Sequence, residues 1–216
     1  MSKQTPLDEI AIKYETDKSS LHHDYCSIYE KLFSSLRYDK FVFIECGIGG
    51  YEYIDRGGQS ARMWREYFPL ADIVTFDIHK KHLPNFEGIK VFKGSQIDRE
   101  FLVDMFTKVG NPTVFLDDGS HVNSHVIETF EIVFPLLKPQ GIYVVEDFET
   151  SFYERDGFGG TLDLSDYTVN TSLNYFRKLV DEVNYKYIEG FTPNEKFKDQ
   201  IESISFYRNL IVIHKK

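Results

Sequence analysis

The apolar positions follow two alternating rhythms. Short continuous runs, FVFIE at 41–45, DIVTFD at 72–77, IKVFKG at 89–94, TVFLD at 113–117 and IYVVE at 142–146, have the length and the β-branched and aromatic content of strands buried on both faces. Between them apolar residues recur at three- and four-residue spacing. "DYCSIYEKLFSSLRY" puts Tyr25, Ile28, Tyr29, Leu32, Phe33 and Leu36 on one helical face. "SARMWREYF", with Ser60 as its N-cap, "DREFLVDMFTKV", capped by Asp98, and "NSHVIETFEIVFPLL" repeat the pattern, and Lys138-Pro139-Gln140-Gly141 stops the last. A helical turn is expected over Ile10–Tyr14. Strands alternating with helices predict a parallel sheet with crossover helices.

The end of the chain breaks that rhythm. "TSLNYFRKLVDEV" is a further helix, whereas "NYKYIEG", "IESISFY" and "LIVIHKK" read as strands on short turns, with Arg208-Asn209 as a hairpin turn. The expected class is α/β: a doubly wound, mostly parallel sheet ending in an antiparallel hairpin. A helical extension over residues 1–40 precedes a main domain over 41–216.

Composition narrows the partners. A net charge of −9 lacks the basic footprint of a general nucleic-acid binder or of a protein drawn to anionic membrane surfaces. Two cysteines, Cys26 and Cys46, make no disulfide framework. The first twenty residues carry charges throughout and no apolar signal core, and no run approaches the roughly 18–20 apolar residues of a membrane span. A cytoplasmic location is expected.

In open α/β sheets ligands bind beyond the carboxyl ends of the strands, so what each strand ends in matters. The first runs into Glu45-Cys46-Gly47-Ile48-Gly49-Gly50, the second ends at Asp77 and the third is followed by Gly94-Ser95-Gln96. The fourth ends in Asp117-Asp118-Gly119 and the fifth in Glu146-Asp147. "GIGG" permits a tight turn and close approach of a ligand to the backbone, through Gly47 and Gly49. The glycine that a dinucleotide fingerprint needs at its sixth position is replaced by Glu52. Glu45 would repel a phosphate but suits a ligand with a cationic part, such as the amino group of a methionine moiety. A plain strand-to-helix turn is the alternative. Asp77 stands where an acid accepts ribose hydroxyls, or simply caps a turn. Gln96 reads either the adenine edge or nothing, as a loop amide.

The carboxylates Asp118, Glu146 and Asp147 fall at neighbouring strand ends. Hard oxygen ligands of this kind suit Mg²⁺ or Ca²⁺, and a divalent ion would relieve their mutual repulsion. Capping of the following helix is the alternative, although Ser120 and Asn123 can also do that. His121 is the nearby group able to take a proton near neutral pH, and is read as a general base beside the metal. His125, one turn on, is read as a supporting residue. Tyr51, Tyr53, Phe152, Tyr153 and Phe158 are candidates for a pocket wall.

Together these segments resemble the class I S-adenosylmethionine-dependent methyltransferases. They are most similar to the metal-dependent sugar O-methyltransferases of antibiotic biosynthesis that act on macrolide deoxysugars. The resemblance rests on "ETDKSSLHHDYCSIYEKLF", "FIECGIGGY", "GGQSARMWREYFP", "FDI", "GSQID", "FLDDGSHVNSHV", "LLKPQGIYVVEDFETSFY" and "GFGGT", in that order over roughly residues 14–161. It implies a Rossmann-like methyltransferase fold and methyl transfer from S-adenosylmethionine to a sugar or glycoside hydroxyl. It implies Mg²⁺ on Asp118, Glu146 and Asp147, with His121 as base. Glu45, Gly47 and Ser60 would hold the methionine end of the cofactor, Asp77 the ribose, with Gln96 near the adenine and Asp117 near the methionine. "TDK" at 16–18, with His23 and Tyr25, would fold over the cofactor. The macrolide enzymes carry a further N-terminal domain, so assembly is not carried over, and a homo-oligomer is left open. "FETSFYERDGFGGT" departs from their acceptor loop, which leaves the acceptor, a small molecule, unnamed. A catechol-type Mg²⁺-dependent O-methyltransferase, a non-catalytic cofactor-binding module and a nicotinamide dehydrogenase are the rival readings.

Overall fold

Each of the five apolar runs forms a strand, within a residue or two of its expected bounds. The computed structural model describes residues 4–84, 86–163 and 165–216. Its chain contacts divide it into two compact units, one ending at Gly94 and the other beginning at Ser95.

The first unit holds α1 (Pro6–Lys13), α2 (Cys26–Phe33), β1 (Val42–Cys46), α3 (Gln59–Tyr67), β2 (Asp72–Asp77) and β3 (Ile89–Lys93). Its strands lie in the order β3-β2-β1, all parallel, with Cys46 level with Phe76 and Asp77 level with Lys93. The carboxyl ends of β1 and β2 therefore share one edge. Helix α1 begins earlier than the expected turn because Thr5 caps it: the Thr5 side chain accepts the Asp8 N–H, and Pro6 occupies a first-turn position that needs no N–H. Ser60 is not the cap of α3. Gly58, in the left-handed region at φ 78°, holds that position, which leaves Ser60 inside the first turn with its hydroxyl directed elsewhere. Tyr29, Phe33, Phe43, Trp64 and Phe68 interlock as a fully buried aromatic core, with Trp64 4.8 Å from Phe43 and 5.4 Å from Tyr29 between ring centres.

The second unit contains α4 (Arg99–Val109), β4 (Val114–Asp117), α5 (Asn123–Val133), β5 (Ile142–Glu146), α6 (Ser172–Asn184), β6 (Ile201–Tyr207) and β7 (Leu210–Lys215). Strand order is β4-β5-β7-β6; β4 and β5 are parallel, and β7 is antiparallel to both β5 and β6. Mostly parallel strands with a C-terminal antiparallel hairpin are thus what the chain has. Asp98 caps α4 by accepting the Phe101 N–H, and Thr171 caps α6 by accepting the Asn174 N–H.

Two local expectations are corrected. "NYKYIEG" is not a strand: α6 tightens into a 3-10 turn at Tyr185–Tyr187, and Tyr187 is left 89% exposed. Its aromatic alternation has strand propensity but no face to bury, and the Tyr185 hydroxyl turns aside to Asp199 at 2.9 Å. Ser120 and Asn123 do not cap α5, whose cap position is Val122 with no side-chain bond. Asn123 is instead buried and committed to a neighbouring loop.

Phe130 is the hinge pin of this unit's core. Its ring lies 4.8 Å from Phe134, 5.1 Å from Tyr143 on β5, 5.1 Å from Phe176 on α6 and 5.3 Å from Phe197. Phe130→Ala leaves a cavity that four rings cannot all fill, and is expected to lower the unfolding free energy by roughly 3–5 kcal/mol in urea denaturation.

Candidate functional site

In the first unit, the end of β1 turns through Gly47, Gly49 and Gly50, all at positive φ (92°, 72° and 74°). A Cβ on Gly50 would fall 2.4 Å from the Arg56 carbonyl carbon, so glycine is required there for close backbone packing. Gly49 is the open point of the turn: an added Cβ would meet only the Gly57 Cα, at 4.0 Å. Asp77 ties the turn to β2. One carboxylate oxygen accepts the Ile48 N–H at 3.1 Å and the other accepts the His79 N–H at 2.8 Å. Lys81 holds the outer part of the turn, its ammonium donating to the carbonyls of Gly49, Tyr51 and Tyr53 and lying 3.4 Å from that of Arg56.

Glu45 is 1% exposed and its carboxylate is well partnered. Ser60 donates to one oxygen at 2.8 Å and the Trp64 indole to the other at 3.1 Å, with the wholly buried Lys18 ammonium 3.7 Å away. Lys18 belongs to the "TDK" segment, where Thr16 is also buried, and His23 stacks on buried Tyr25 at 5.1 Å.

In the second unit, the parallel register sets Asp117 level with Val145. The residues that follow, Asp118 on one side and Glu146-Asp147 on the other, therefore emerge at one edge. Asp117 itself points into the protein. It is 1% exposed, and accepts hydrogen bonds from Gln96 Nε2 at 3.1 Å and the Tyr143 hydroxyl at 3.2 Å. Burial pushes its carboxyl up to about 7, against the pull of the His121 charge, the Tyr143 hydroxyl and the Gly119 N–H; the Asp118 charge adds to the rise. Gln96 is a buried brace. Its amide nitrogen also donates to Thr129 at 3.0 Å, and its oxygen accepts the Ser120 N–H at 2.7 Å, which holds the turn after Asp118.

Asp118, His121 and Asp147 come together. Each offers a ligand atom, and these atoms all lie within 4.8 Å of one another. His121 Nε2 is 3.8 Å from Asp118 and 4.0 Å from Asp147. All three side chains are partly open to solvent. An ion at roughly 2.0–2.6 Å from each donor fits between atoms so spaced, and two carboxylate oxygens with an imidazole nitrogen are a donor set for a divalent cation. Glu146, 2% exposed at the end of β5, is not one of this trio.

His121 and Asp147 are both in the left-handed region, at φ 56° and 53°. Non-glycine residues avoid it, so the surroundings must impose it. Thr150 does so at both places: its hydroxyl donates to the His121 carbonyl at 2.8 Å and lies 3.4 Å from the Asp147 carbonyl. Asn123 organises the buried network behind them. Its side-chain oxygen accepts from the Ser172 N–H at 2.6 Å and the Ser151 hydroxyl at 2.9 Å. Its amide nitrogen donates to the carbonyls of Phe158 and Thr150. His125 forms a 2.9 Å hydrogen bond with Ser120 through Nδ1. Of the aromatic candidates for a pocket wall, Tyr153 and Phe158 pair edge to face in this unit, whereas Tyr51 is 81% exposed on the glycine turn of the other. Thr150, Asn123 and Asn209, which bonds Asp147 at 3.1 Å, were not read from the sequence as site residues; Asn123 was expected only as a helix cap and Asn209 only in a hairpin turn. Thr150 and Asn123 lie beside marked residues, and that adjacency is the one signal the sequence offered.

No family model matches the chain. The mycinamicin VI 2″-O-methyltransferase of Micromonospora griseorubida is 32% identical, over 99% of this chain and 53% of that protein. The 8-demethyl-8-(2-methoxy-α-L-rhamnosyl)-tetracenomycin-C 3′-O-methyltransferase of Streptomyces olivaceus is 33% identical, over 99% of this chain and 55% of that one. Among solved structures, the methyltransferase MycE from the mycinamycin biosynthetic pathway, in complex with Mg and S-adenosylhomocysteine, aligns with a TM-score of 0.89 at 32% identity, covering 99% of this chain and 54% of that chain. The chain spans about half the length of the curated relatives it matches. Over nearly all of its own length it is a homologue of the sugar O-methyltransferases of antibiotic biosynthesis, and it has the fold of the S-adenosylmethionine-dependent methyltransferases.

Proposed function

We propose that this protein transfers a methyl group from S-adenosylmethionine to a hydroxyl of a sugar or glycoside, using a divalent metal, Mg²⁺, and His121 as general base. The observation that carries the reading is the trio of Asp118, His121 and Asp147, gathered in a chain whose relatives are named for sugar O-methylation. Asp118 and Asp147, with Glu146 beside them, hold the metal. His121 Nε2, facing both carboxylates, accepts the proton from the acceptor hydroxyl. When bound, the metal lowers the acceptor hydroxyl's pKa and S-adenosylmethionine supplies an electrophilic methyl carbon. The chain's remaining task is alignment. Glu45, Gly47, Gly49 and Ser60 serve the methionine end and Asp77 the ribose, while Gln96 and Asp117 complete the cofactor's surroundings on the adenine and methionine sides. Asp77 suits its part because each of its oxygens, after accepting one backbone N–H, keeps a second lone pair.

The acceptor is a small molecule, and the acidic chain is a poor partner for nucleic acid. Among the described residues no helix is long and apolar enough to cross a membrane. We place the reaction in the cytoplasm.

His121→Ala is expected to lower turnover by roughly 10²–10⁴ while S-adenosylhomocysteine still binds in calorimetric titration. Turnover close to that of the unaltered protein on a glycoside panel would remove His121 from the role. Chelator should abolish methyl transfer and added Mg²⁺ restore it; full activity in excess chelator would contradict the metal's part. Thr150→Val keeps the side chain's shape but withdraws the hydroxyl from the His121 carbonyl. It should cost about 1–3 kcal/mol of stability by chemical denaturation, with Thr150→Ser recovering most of it.

A further inference from the structure

Asn209 sits in the two-residue turn of the C-terminal hairpin, next to the last cross-strand pair, Tyr207 with Leu210. Its φ of 57° is left-handed, a conformation that asparagine tolerates and glycine would adopt equally well. The turn alone asks nothing of the side chain. Yet three of its polar groups reach residues 147–149. The main-chain oxygen accepts the Asp147 N–H at 3.1 Å, extending the β5–β7 ladder by one step. The side-chain oxygen accepts the Glu149 N–H at 2.8 Å, and the amide nitrogen donates to Asp147 Oδ1 at 3.1 Å. The other oxygen of the same carboxylate, Oδ2, is the one that lies 4.0 Å from His121 Nε2.

We propose that Asn209 is a positioning residue: its carboxamide orients the Asp147 carboxylate so that Oδ2, on the side facing His121, is presented with Asp118 to a divalent cation. The inference rests on reading Asp118 and Asp147 as holders of a metal ion. Asp118 and Asp147 repel each other, so an unrestrained Asp147 would rotate away and the ion would have to draw it back. The amide holds the carboxylate in place beforehand through the oxygen not directed at His121. Partners of metal ligands act in this way on affinity. The main-chain bond between Asp147 and Asn209 needs no side chain and survives truncation, so the carboxamide's own effect can be isolated.

The test titrates manganese chloride, as a spectroscopic probe, into the intact protein without cofactor or acceptor. Binding is followed by calorimetry and by the paramagnetic resonance of free Mn²⁺, with thermal midpoints recorded alongside. Asn209→Gly keeps the positive φ and loses the amide, whereas Asn209→Ala loses the amide and adds turn strain. Both are expected to bind Mn²⁺ roughly 10–100-fold more weakly, in proportion to the shared loss and not to their differing stabilities. Unchanged Mn²⁺ affinity in Asn209→Gly, with weakening confined to Asn209→Ala, would show that the residue only serves the turn and would overturn the proposal. Asp118→Asn separates the two levels. If it loses Mn²⁺ while Asn209→Gly keeps it, only the positioning role fails. If the unaltered protein binds no better than Asp118→Asn, the metal reading fails and the positioning role with it.

Discussion

The second unit is organised around an electrostatic burden: two carboxylates, Asp118 and Asp147, kept within 4.8 Å of each other and of one imidazole. At an effective dielectric near 20, two like charges at that range repel by about 3–4 kcal/mol. The backbone adds to the burden, since His121 and Asp147 each occupy a left-handed conformation that costs about 1–2 kcal/mol for a residue with a Cβ. Such an arrangement persists only where the surroundings over-determine it. They do so here from three directions. Thr150 holds the His121 carbonyl from behind, the Gln96 amide holds the Ser120 N–H, and the hairpin tip holds Asp147. A bound divalent cation would turn the repulsive term into an attractive one, so the same fixed geometry that costs stability without an ion becomes a prepared site with one.

The first unit treats its acid in the opposite way. Glu45 is buried singly and supplied at once with a cation, an indole N–H and a hydroxyl. Charge balance of this kind fixes an orientation and does not store repulsion. The cation is Lys18, from the segment before α2, so the same contact anchors the N-terminal segment to the end of β1. Outside it, the Lys81 ammonium gathers four carbonyls of the glycine turn. The open position at Gly49 is thus framed by rigid backbone, as close approach by a ligand requires.

The strands were legible because burial on both faces leaves continuous apolar runs, and the acids were legible because each interrupts such a run at its carboxyl end. Helix starts were less so. Ser60 and Asn123 have cap-forming side chains, but longer-range partners claimed them: Glu45 for the first, Ser151 and Ser172 for the second. Local propensity counts only nearby backbone as a partner, and a buried carboxylate or hydroxyl is a stronger competitor than a solvated helix end. "NYKYIEG" failed for a related reason, since strand propensity reports a fit to a half-buried sheet surface and no such surface was offered. Asn209 was legible as a turn residue and illegible as a neighbour of Asp147, because the two are 62 positions apart in the chain. Only the antiparallel pairing of β5 with β7 brings them together.

The two adjacent acids after β4 show how one strand end can serve two purposes. Successive side chains of a strand face opposite ways, so Asp117 turns inward among Gln96, Tyr143 and the packed side chains, while Asp118 turns outward to the edge. Burial then separates their chemistry. Asp117, at 1% exposure, favours its protonated form up to about 7, whereas the Asp118 side chain, at 21%, keeps water near it. In its protonated form, which burial favours, Asp117 adds no full charge to the trio beside it. Exposing it, by loosening Tyr143 or Gln96, would raise the repulsion on Asp118 and Asp147 without touching either one.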